Sequence, residues 1–178
     1  MIRVHHLETS RSTRLLWALE ELELDYELVE YKRHPKTRRA PVSGKKLHPL
    51  GRFPILEIDG KVLAESGAIL SYLVEREGKL GPPEGANVEY TYWMHYAEGS
   101  AMLPLLVKLI TREIKTAQVP FFIKPIARGV GLQIDRAFTN NELKTHFEWV
   151  EESLARSVYF AGDEFTAADI QMYYPIKA

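Results

Sequence analysis

The sequence contains no cysteine among its 178 residues. Disulfides, zinc–thiolate sites, iron–sulfur sites and dithiol redox centres all require cysteine, so each of them is excluded. A thiolate nucleophile belonging to the protein itself is excluded for the same reason. Any thiol chemistry must therefore use a thiol that the substrate brings.

Long apolar runs and an excess of charge of one sign are also missing. The longest apolar stretch, residues 101–110, is broken by Pro104 and Lys108 and is far shorter than the ~20 residues of a membrane-spanning helix. The N-terminus has no apolar segment of the signal-peptide kind, so we expect no transmembrane segment and a cytoplasmic location. The 23 basic and 24 acidic side chains nearly balance, which argues against a dedicated nucleic-acid-binding protein.

Nucleotide and metal sites have no motif in this sequence. Glycine-rich phosphate-binding loops are absent, and the six histidines show no HExxH-type spacing. His5 and His6 are adjacent, but neighbours on a strand point to opposite faces. We therefore expect no metal and no resident cofactor.

The first half of the chain alternates between strand-like and helix-like patterns. Residues 2–7 and 26–31 are predicted to form strands, and the leucines between them recur at helical spacing. Two apolar runs flank Asp59-Gly60, a dipeptide that strongly predicts a two-residue β-hairpin. Residues 66–76 return to helical spacing. These patterns predict a mixed α/β domain over residues 1–80.

The second half changes class after a segment rich in Gly and Pro, which predicts a linker over residues 81–86. No convincing strand-like alternation follows, so residues 87–178 are predicted to form an all-helical domain. The Thr166-Ala167-Ala168-Asp169 segment matches a capping box ahead of an apolar run and predicts a helix start. The preceding helices are expected over residues 87–115, 120–138 and 142–154.

Phe53-Pro54 lies where a strand is expected to begin, and proline removes a hydrogen-bond donor from the strand ladder there. One interpretation is that the backbone of Phe53 is free to pair with an extended peptide ligand. The other is an ordinary trans-proline at a strand start, which the ~5–6% frequency of cis X–Pro bonds favours. The spacing alone leaves both interpretations open.

Two predicted strand-to-helix turns carry hydroxyl groups. Glu65-Ser66 precedes one helix, where backbone amides and the helix dipole favour a bound carboxylate. Thr9-Ser10-Arg11-Ser12-Thr13 precedes another helix, and its hydroxyls can donate hydrogen bonds to an anion. At both turns the alternative is a structural role, because Ser and Thr are common helix caps.

Positive charge is concentrated in the segment between residues 32 and 50, which has no strand or helix pattern. Segments of this length are typical of functional loops, or they contain a short helix that the pattern does not show. The charge can attract phosphate or an acidic small molecule, although a solvated loop is the more common outcome. Because no aromatic residue beyond Tyr31 is interleaved with the charges, nucleic-acid binding is not expected.

Four sequence motifs follow one another along the chain. Ser-Arg-Ser-Thr-Arg-Leu-Leu-Trp comes after the first strand, then His-Pro-Leu-Gly-Arg-Phe-Pro, then Ala-Glu-Ser-Gly-Ala-Ile, and finally Thr-Ala-Ala-Asp. In this order and spacing they resemble cytosolic glutathione S-transferases of the serine type, with the closest likeness to the fungal-type and related bacterial group. The resemblance spans essentially the whole chain. It implies a thioredoxin-like N-terminal domain with a mixed four-stranded sheet, an all-α C-terminal domain and a homodimer.

The resemblance also implies how glutathione is held as a co-substrate. In the family, the proline that corresponds to Pro54 is cis, and the backbone before it, at Phe53 here, binds the cysteinyl moiety. Glu65 and Ser66 correspond to the pair that holds the γ-glutamyl end, with Ser66 taking the α-carboxylate. The glycyl carboxylate is expected to meet a basic residue of the preceding loop, first Arg52 and then Lys45 or Lys46.

For catalysis, the family uses a Tyr, Ser or Cys after the first strand. Ser10 matches the serine-type pattern, with Arg14 four residues later, and Ser12 and Thr9 are the alternatives. A free thiol titrates near ~8.5, and one hydrogen bond to a charged acceptor lowers that pKa by about one to two units. Ser10 is therefore expected to stabilise the glutathione thiolate, which attacks a hydrophobic electrophile or a peroxide.

The end of the chain departs from the family pattern. Family members generally continue for several helices beyond Thr-Ala-Ala-Asp, whereas this sequence stops at Ala178, so we expect an incomplete C-terminal domain. Tyr92, Tyr96 and Leu103 are the predicted walls of the electrophile site. The alternative to an enzyme is a non-catalytic protein of the same fold that carries hydrophobic ligands or regulates a partner.

Overall fold

The computed structural model describes all 178 residues and begins with a four-stranded mixed sheet. The strand order is β2-β1-β3-β4, with β1 parallel to β2 and antiparallel to β3, and with β3 antiparallel to β4. The elements of this part are, in chain order, β1 (Arg3–Leu7), α1 (Thr13–Glu21), β2 (Glu27–Tyr31), β3 (Ile55–Ile58), β4 (Lys61–Ala64) and α2 (Ser66–Glu77).

The hairpin between β3 and β4 turns at the predicted dipeptide. Asp59 and Gly60 both have positive φ angles, 52° and 73°, as expected for a two-residue turn that matches the twist of the strands. Helices α1 and α2 pack on the sheet through a core of nine buried residues, which are Ile2, Val4, Leu15, Leu19, Leu22, Leu56, Ile58, Ile69 and Leu73. Burying each of the larger side chains stabilises the fold by ~1.5–3 kcal/mol relative to exposure.

The rest of the chain is helical. Its elements are α3 (Asn87–Tyr96), α4 (Met102–Lys115), α5 (Lys124–Ile134), α6 (Asn140–Leu154) and α7 (Ala167–Lys177). A π turn at Ala97–Ala101 joins α3 to α4 without a break, so the long helix predicted over residues 87–115 is confirmed with one wide turn inside it. None of the helices has the length and the apolar character needed to cross a membrane.

The predicted break between helices 120–138 and 142–154 is wrong. A second π turn, Asp135–Thr139, joins α5 to α6, so the helix runs from Lys124 to Leu154. Thr and Asn are weak helix formers, but Thr139 is fully buried and Asp135 is hydrogen-bonded to α4. Tertiary packing therefore outweighs the local preference to end the helix.

Helix α7 connects the helical part to the sheet. It packs against α1, α2 and α3, and the Trp17 ring of α1 contacts the rings of Phe165 and Tyr173 with centroids 5.5 Å apart in both pairs. The predicted capping box is confirmed at its start. The Thr166 hydroxyl accepts from a first-turn N–H, while the Asp169 carboxylate accepts from the Thr166 N–H at 2.8 Å.

A buried carboxylate joins α4 to the second π turn. Asp135 is only 4% exposed and accepts hydrogen bonds from Thr111 Oγ1 at 2.7 Å and from Lys115 Nζ at 2.5 Å. Gly131 allows this close approach, because a Cβ there would lie 2.6 Å from Lys115 Cγ. The hydrogen bond from Lys115, and then the one from Thr111, lower the pKa of Asp135 from its ordinary value of 3.8 to about 2.

We expect Asp135→Asn to lower the free energy of unfolding by about 2 kcal/mol at neutral pH. Because the folded pKa lies below the unfolded pKa, the carboxylate stabilises the fold above the unfolded value, and this contribution is lost as the pH falls through the folded value of about 2. Urea unfolding at a series of pH values measures the difference. Asp163→Asn, at an exposed position, is the control. A difference between wild type and Asp135→Asn that does not shrink in acid would contradict the prediction.

Candidate active site

A polar cleft of about 1100 Å³ opens beside the first turns of α1 and α2. Its walls come from the β1–α1 turn, the segment between β2 and β3, the β4–α2 turn and helix α7. These parts are far apart in the sequence and meet because β1 and β3 are neighbours in the sheet. The cleft brings together all of the site residues predicted from the sequence, which are Ser10, Arg52, Phe53, Pro54, Glu65 and Ser66.

The segment between β2 and β3 supplies the basic wall. It contains a short 3-10 helix, Val42–Lys46, which confirms the prediction of a hidden short helix, and it also lines the cleft. The peptide bond between Phe53 and Pro54 is cis, as the resemblance implied and contrary to the expectation from the frequency of cis bonds. Neither the N–H nor the C=O of Phe53 makes a backbone hydrogen bond. The Phe53 ring packs against the Tyr31 ring, with centroids 4.8 Å apart.

The β1–α1 turn carries a chain of hydrogen-bonded hydroxyls. Ser12 Oγ lies 2.7 Å from Ser10 Oγ and 2.8 Å from His6 Nδ1, and it accepts from the Leu7 backbone N–H at 3.1 Å. Ser12 is completely buried, so its hydroxyl is fully engaged within the protein. Ser10 lines the cleft, whereas Thr9 is exposed and does not. The geometry therefore favours Ser10 over both alternatives as the hydroxyl that meets a ligand.

The residues at the N-cap positions of α1 and α2 make no side-chain capping bond, although Ser10 Oγ accepts from the Ser12 backbone N–H at 3.2 Å at the start of α1. Ser12 occupies the N-cap position of α1 but makes no capping bond, because its backbone is already helical and its hydroxyl is turned toward β1. The N-cap residue of α2 is Glu65, with φ of 72°, and it makes no side-chain capping bond either. Ser66 is the first helical residue, and its hydroxyl is bonded inside the protein.

A buried arginine holds the Ser66 hydroxyl in place. Arg14 Nη1 donates to Ser66 Oγ at 2.9 Å, and Ser66 Oγ donates to Gln171 Oε1 at 3.4 Å. The charge of Arg14 is balanced by Glu98, whose Oε1 lies 2.5 Å from the same Nη1. Burial lowers the pKa of Arg14, and the hydrogen bond to Glu98 opposes that effect.

Glu98 was not identified from the sequence, although it connects the helical part to the cleft. It lies in the first π turn, and its second carboxylate oxygen is 2.9 Å from Arg11 Nη1. The Tyr174 ring of α7 lies 5.6 Å from the Arg14 guanidinium. An arginine within the apolar stripe of α1 was the available signal that a buried partner exists. No local pattern marks Glu98, Gln171 or Tyr174 as that partner.

The cleft is strongly basic. Arg33 donates to the backbone carbonyls of Thr9 and Arg38, which holds the loop against the β1–α1 turn. Glu65 is the one acidic residue in the lining. The lining contains six cations, which are Arg11, Arg33, Arg38, Arg39, Lys45 and Arg52. Apart from Arg11, none of the six forms a salt bridge, so the cleft attracts anionic ligands. Lys46 does not line it.

The predicted walls of the electrophile site do not lie in this cleft. Tyr92, Tyr96 and Leu103 are absent from its lining. Tyr96 is hydrogen-bonded to His146 inside the helical part, where burial raises the pKa of Tyr96 to about 12. Helix α7 contributes an aromatic residue, Tyr174, to the lining of the cleft.

Similarity to known proteins covers the whole of this architecture. Residues 1–75 match the family model described as "Glutathione S-transferase, N-terminal domain". Glutathione S-transferase 1 of Saccharomyces cerevisiae is 37% identical, and the match covers 99% of this chain and 80% of the yeast protein. Glutathione S-transferase 3 of Schizosaccharomyces pombe is 39% identical, with 100% of this chain and 74% of the relative covered.

A solved structure shows the same likeness in three dimensions. The crystal structure of a glutathione S-transferase from Actinobacillus pleuropneumoniae superimposes with a TM-score of 0.79 and is 31% identical. The match covers 99% of this chain and 77% of the bacterial chain. The similarity therefore includes the sheet, the cleft and the helices together.

Proposed function

Because this chain belongs to the glutathione S-transferase family, we propose that it transfers the thiolate of glutathione to hydrophobic electrophiles and also reduces organic peroxides. In transfer, the sulfur bonds to the electrophilic carbon as the leaving group departs. In peroxide reduction, the sulfur takes one oxygen as the O–O bond breaks and an alcohol leaves. A second glutathione then releases water and the disulfide.

One observation carries the proposal, which is the convergence in a single cleft of groups that complement each part of glutathione. The free N–H and C=O of Phe53 pair with the extended cysteinyl backbone, as a sheet edge pairs with a peptide. The first-turn N–H groups of α2 take the α-carboxylate of the γ-glutamyl group, and Ser66 Oγ exchanges its long 3.4 Å bond to Gln171 for that carboxylate. Glu65 takes the ammonium. Arg52 takes the glycyl carboxylate, with Lys45 beside it in the lining.

Ser10 is the proposed catalytic residue. Its hydroxyl lines the cleft and donates a hydrogen bond to the thiolate, which stabilises the charged form of the thiol over the neutral form. A shift of about one to two pK units is the expected effect of one such bond. That shift makes thiolate available near neutral pH without a general base from the protein.

The proposal also assigns roles to the parts of the chain. Residues 1–80 form the glutathione-binding domain, residues 81–86 are the linker, and residues 87–178 form the helical domain. Helix α7 of that domain reaches the cleft through Tyr174. We further propose that the protein works as a homodimer in the cytoplasm, and analytical ultracentrifugation of the purified chain tests the dimer.

The test is calorimetry of glutathione binding at pH 7 beside a conjugation assay with chlorodinitrobenzene. Binding together with turnover supports the transferase. Binding without turnover on this substrate or on cumene hydroperoxide would overturn the enzymatic proposal in favour of the non-catalytic ligand carrier or regulator. Absence of binding would mean that Phe53 and Ser66 serve only the scaffold.

Arg52→Gln is expected to raise the KM for glutathione by about tenfold and to leave kcat nearly unchanged. A hydrogen bond to a charged group contributes roughly 1.5–3 kcal/mol, and this contact is equally present in the ground state and the transition state. Steady-state kinetics at varied glutathione concentration measures the effect. Lys46→Gln removes a neighbouring charge outside the lining and is the matched control. Equal KM values for the two variants would remove Arg52 from the proposed site.

A further inference from the structure

In the hydroxyl chain of the β1–α1 turn, Ser12 Oγ has four polar neighbours and can satisfy only three of them. Ser12 Oγ has one hydrogen to donate and two lone pairs to accept with. One lone pair is used by the Leu7 N–H at 3.1 Å. The remaining hydrogen and lone pair must serve Ser10 Oγ at 2.7 Å and His6 Nδ1 at 2.8 Å, with the Leu7 carbonyl farther away at 3.2 Å.

Two arrangements satisfy both short contacts. In the outward arrangement, His6 Nδ1–H donates to Ser12, Ser12 donates to Ser10, and the Ser12 backbone N–H also donates to Ser10 at 3.2 Å. The lone pairs of Ser10 are then occupied, and its own hydrogen is free for a ligand in the cleft. In the inward arrangement, His6 Nδ1 carries no hydrogen and accepts from Ser12, so Ser10 must donate to Ser12. Its hydrogen is then unavailable to the thiolate.

We propose that His6 is a positioning residue for catalysis, because a hydrogen on its Nδ1 directs the Ser10 hydroxyl outward to the glutathione thiolate. This inference rests on the proposed function of Ser10. His6 does not line the cleft and acts through Ser12, which is completely buried. The completely buried hydroxyl of Ser12 thereby has a role other than capping the helix.

The surroundings of His6 favour a neutral ring, in which only one of the two nitrogens carries a hydrogen. Burial lowers the pKa of His6, and the nearby Glu30 opposes this from the paired position on β2. The ring is therefore neutral at pH 7 and has a single N–H. The other charged groups of this region have partners of their own. Glu57 of β3 pairs with His5 and Arg3, and Glu98 pairs with Arg11 and Arg14. Glu8 accepts a hydrogen bond from the Arg33 backbone N–H.

The test compares His6→Asp with His6→Asn, two side chains of nearly the same size and shape. An ionised Asp can only accept a hydrogen bond, so it enforces the inward arrangement, whereas the Asn amide can donate. Titration of the thiolate absorbance of enzyme-bound glutathione gives the pKa of the bound thiol. We expect that pKa to be about one to two units higher in His6→Asp than in His6→Asn. The kcat near pH 7 should fall by about tenfold with an unchanged KM for glutathione.

The same pair of substitutions in a Ser10→Ala background separates two effects on the pKa of the bound thiol. One passes through the hydroxyl chain, and the other is the electrostatic field of the added Asp charge. The field effect persists without Ser10, but the effect through the chain disappears. We expect the Asp–Asn difference to shrink to less than half of its value. An undiminished difference, or equal pKa values for the two single variants, would overturn the role of His6. If wild type binds no glutathione, or if Ser10→Ala leaves the thiol pKa unchanged, the proposed function of Ser10 fails instead.

Nitrogen-15 NMR of histidine-labelled wild-type protein with glutathione bound is a measurement that does not depend on whether the His6 variants fold. The Nδ1 shift distinguishes a protonated from an unprotonated nitrogen. A protonated Nδ1 supports the outward arrangement. An unprotonated Nδ1 in the glutathione complex would overturn it.

Discussion

Ser10→Ala is expected to lower kcat at pH 7 by about tenfold or more while glutathione still binds. The hydroxyl stabilises the charged thiolate more than the neutral thiol, so its loss raises the pKa of the bound thiol and reduces the thiolate fraction. The contacts that bind glutathione, at Phe53, Ser66 and Arg52, remain in place. The measurements are steady-state kinetics from about pH 6 to 9 and calorimetry of glutathione binding.

Thr9→Val is the matched control for this prediction. Thr9 precedes Ser10, but it is exposed and lies outside the lining of the cleft. Valine has the same shape and removes only the hydroxyl. Turnover in Thr9→Val should remain within about twofold of wild type, because Thr9 does not line the cleft and surface substitutions usually change stability by less than about 0.5 kcal/mol. If the two variants lose turnover equally, the β1–α1 turn matters for its shape and not for the hydroxyl of Ser10.

Glu98→Ala is expected to be the most destabilising single substitution proposed here, lowering the free energy of unfolding by about 3 kcal/mol. Arg14 is fully buried, and Glu98 is the carboxylate that balances its charge. Removing one partner of a buried pair leaves the other charge uncompensated, which costs more than the pair itself contributes. Glu98 is partly reached by water, so the expected loss lies at the lower end of the usual range. Urea unfolding at pH 7 measures it.

The same substitution should weaken glutathione binding, because Arg14 also holds the Ser66 hydroxyl. We expect the Kd for glutathione to rise several-fold in Glu98→Ala, by calorimetry under conditions where the variant is folded. The double variant Arg14→Met with Glu98→Leu removes both charges, and apolar replacement of a buried pair is often neutral. The double variant should recover most of the lost free energy of unfolding but not the affinity for glutathione. A double variant as unstable as Glu98→Ala would show that packing, and not charge, accounts for the loss.

Local patterns predicted the elements around the cleft correctly. The Asp59-Gly60 hairpin, the helix that begins at Ser66 and the Thr166 capping box all depend on residues that are close in sequence. Backbone preferences and short-range hydrogen bonds act over a few residues, so their signals survive in the sequence. The break expected near Asn140 was wrong because the buried contacts of Asp135 and Thr139 are long-range and leave no such signal.

The sequence by itself determined the chemical inventory and the order of the elements. The absence of cysteine excluded a thiolate of the protein's own, and the order of motifs indicated the family and the candidate residues Ser10, Phe53 and Ser66. Only the tertiary structure decided which hydroxyl faces the cleft and which carboxylate, that of Glu98, balances the charge of Arg14. It also decided that Ser12 is hydrogen-bonded to both Ser10 and His6. The physical reason is that burial and hydrogen-bond partnership depend on the packing of distant segments, which no local pattern records.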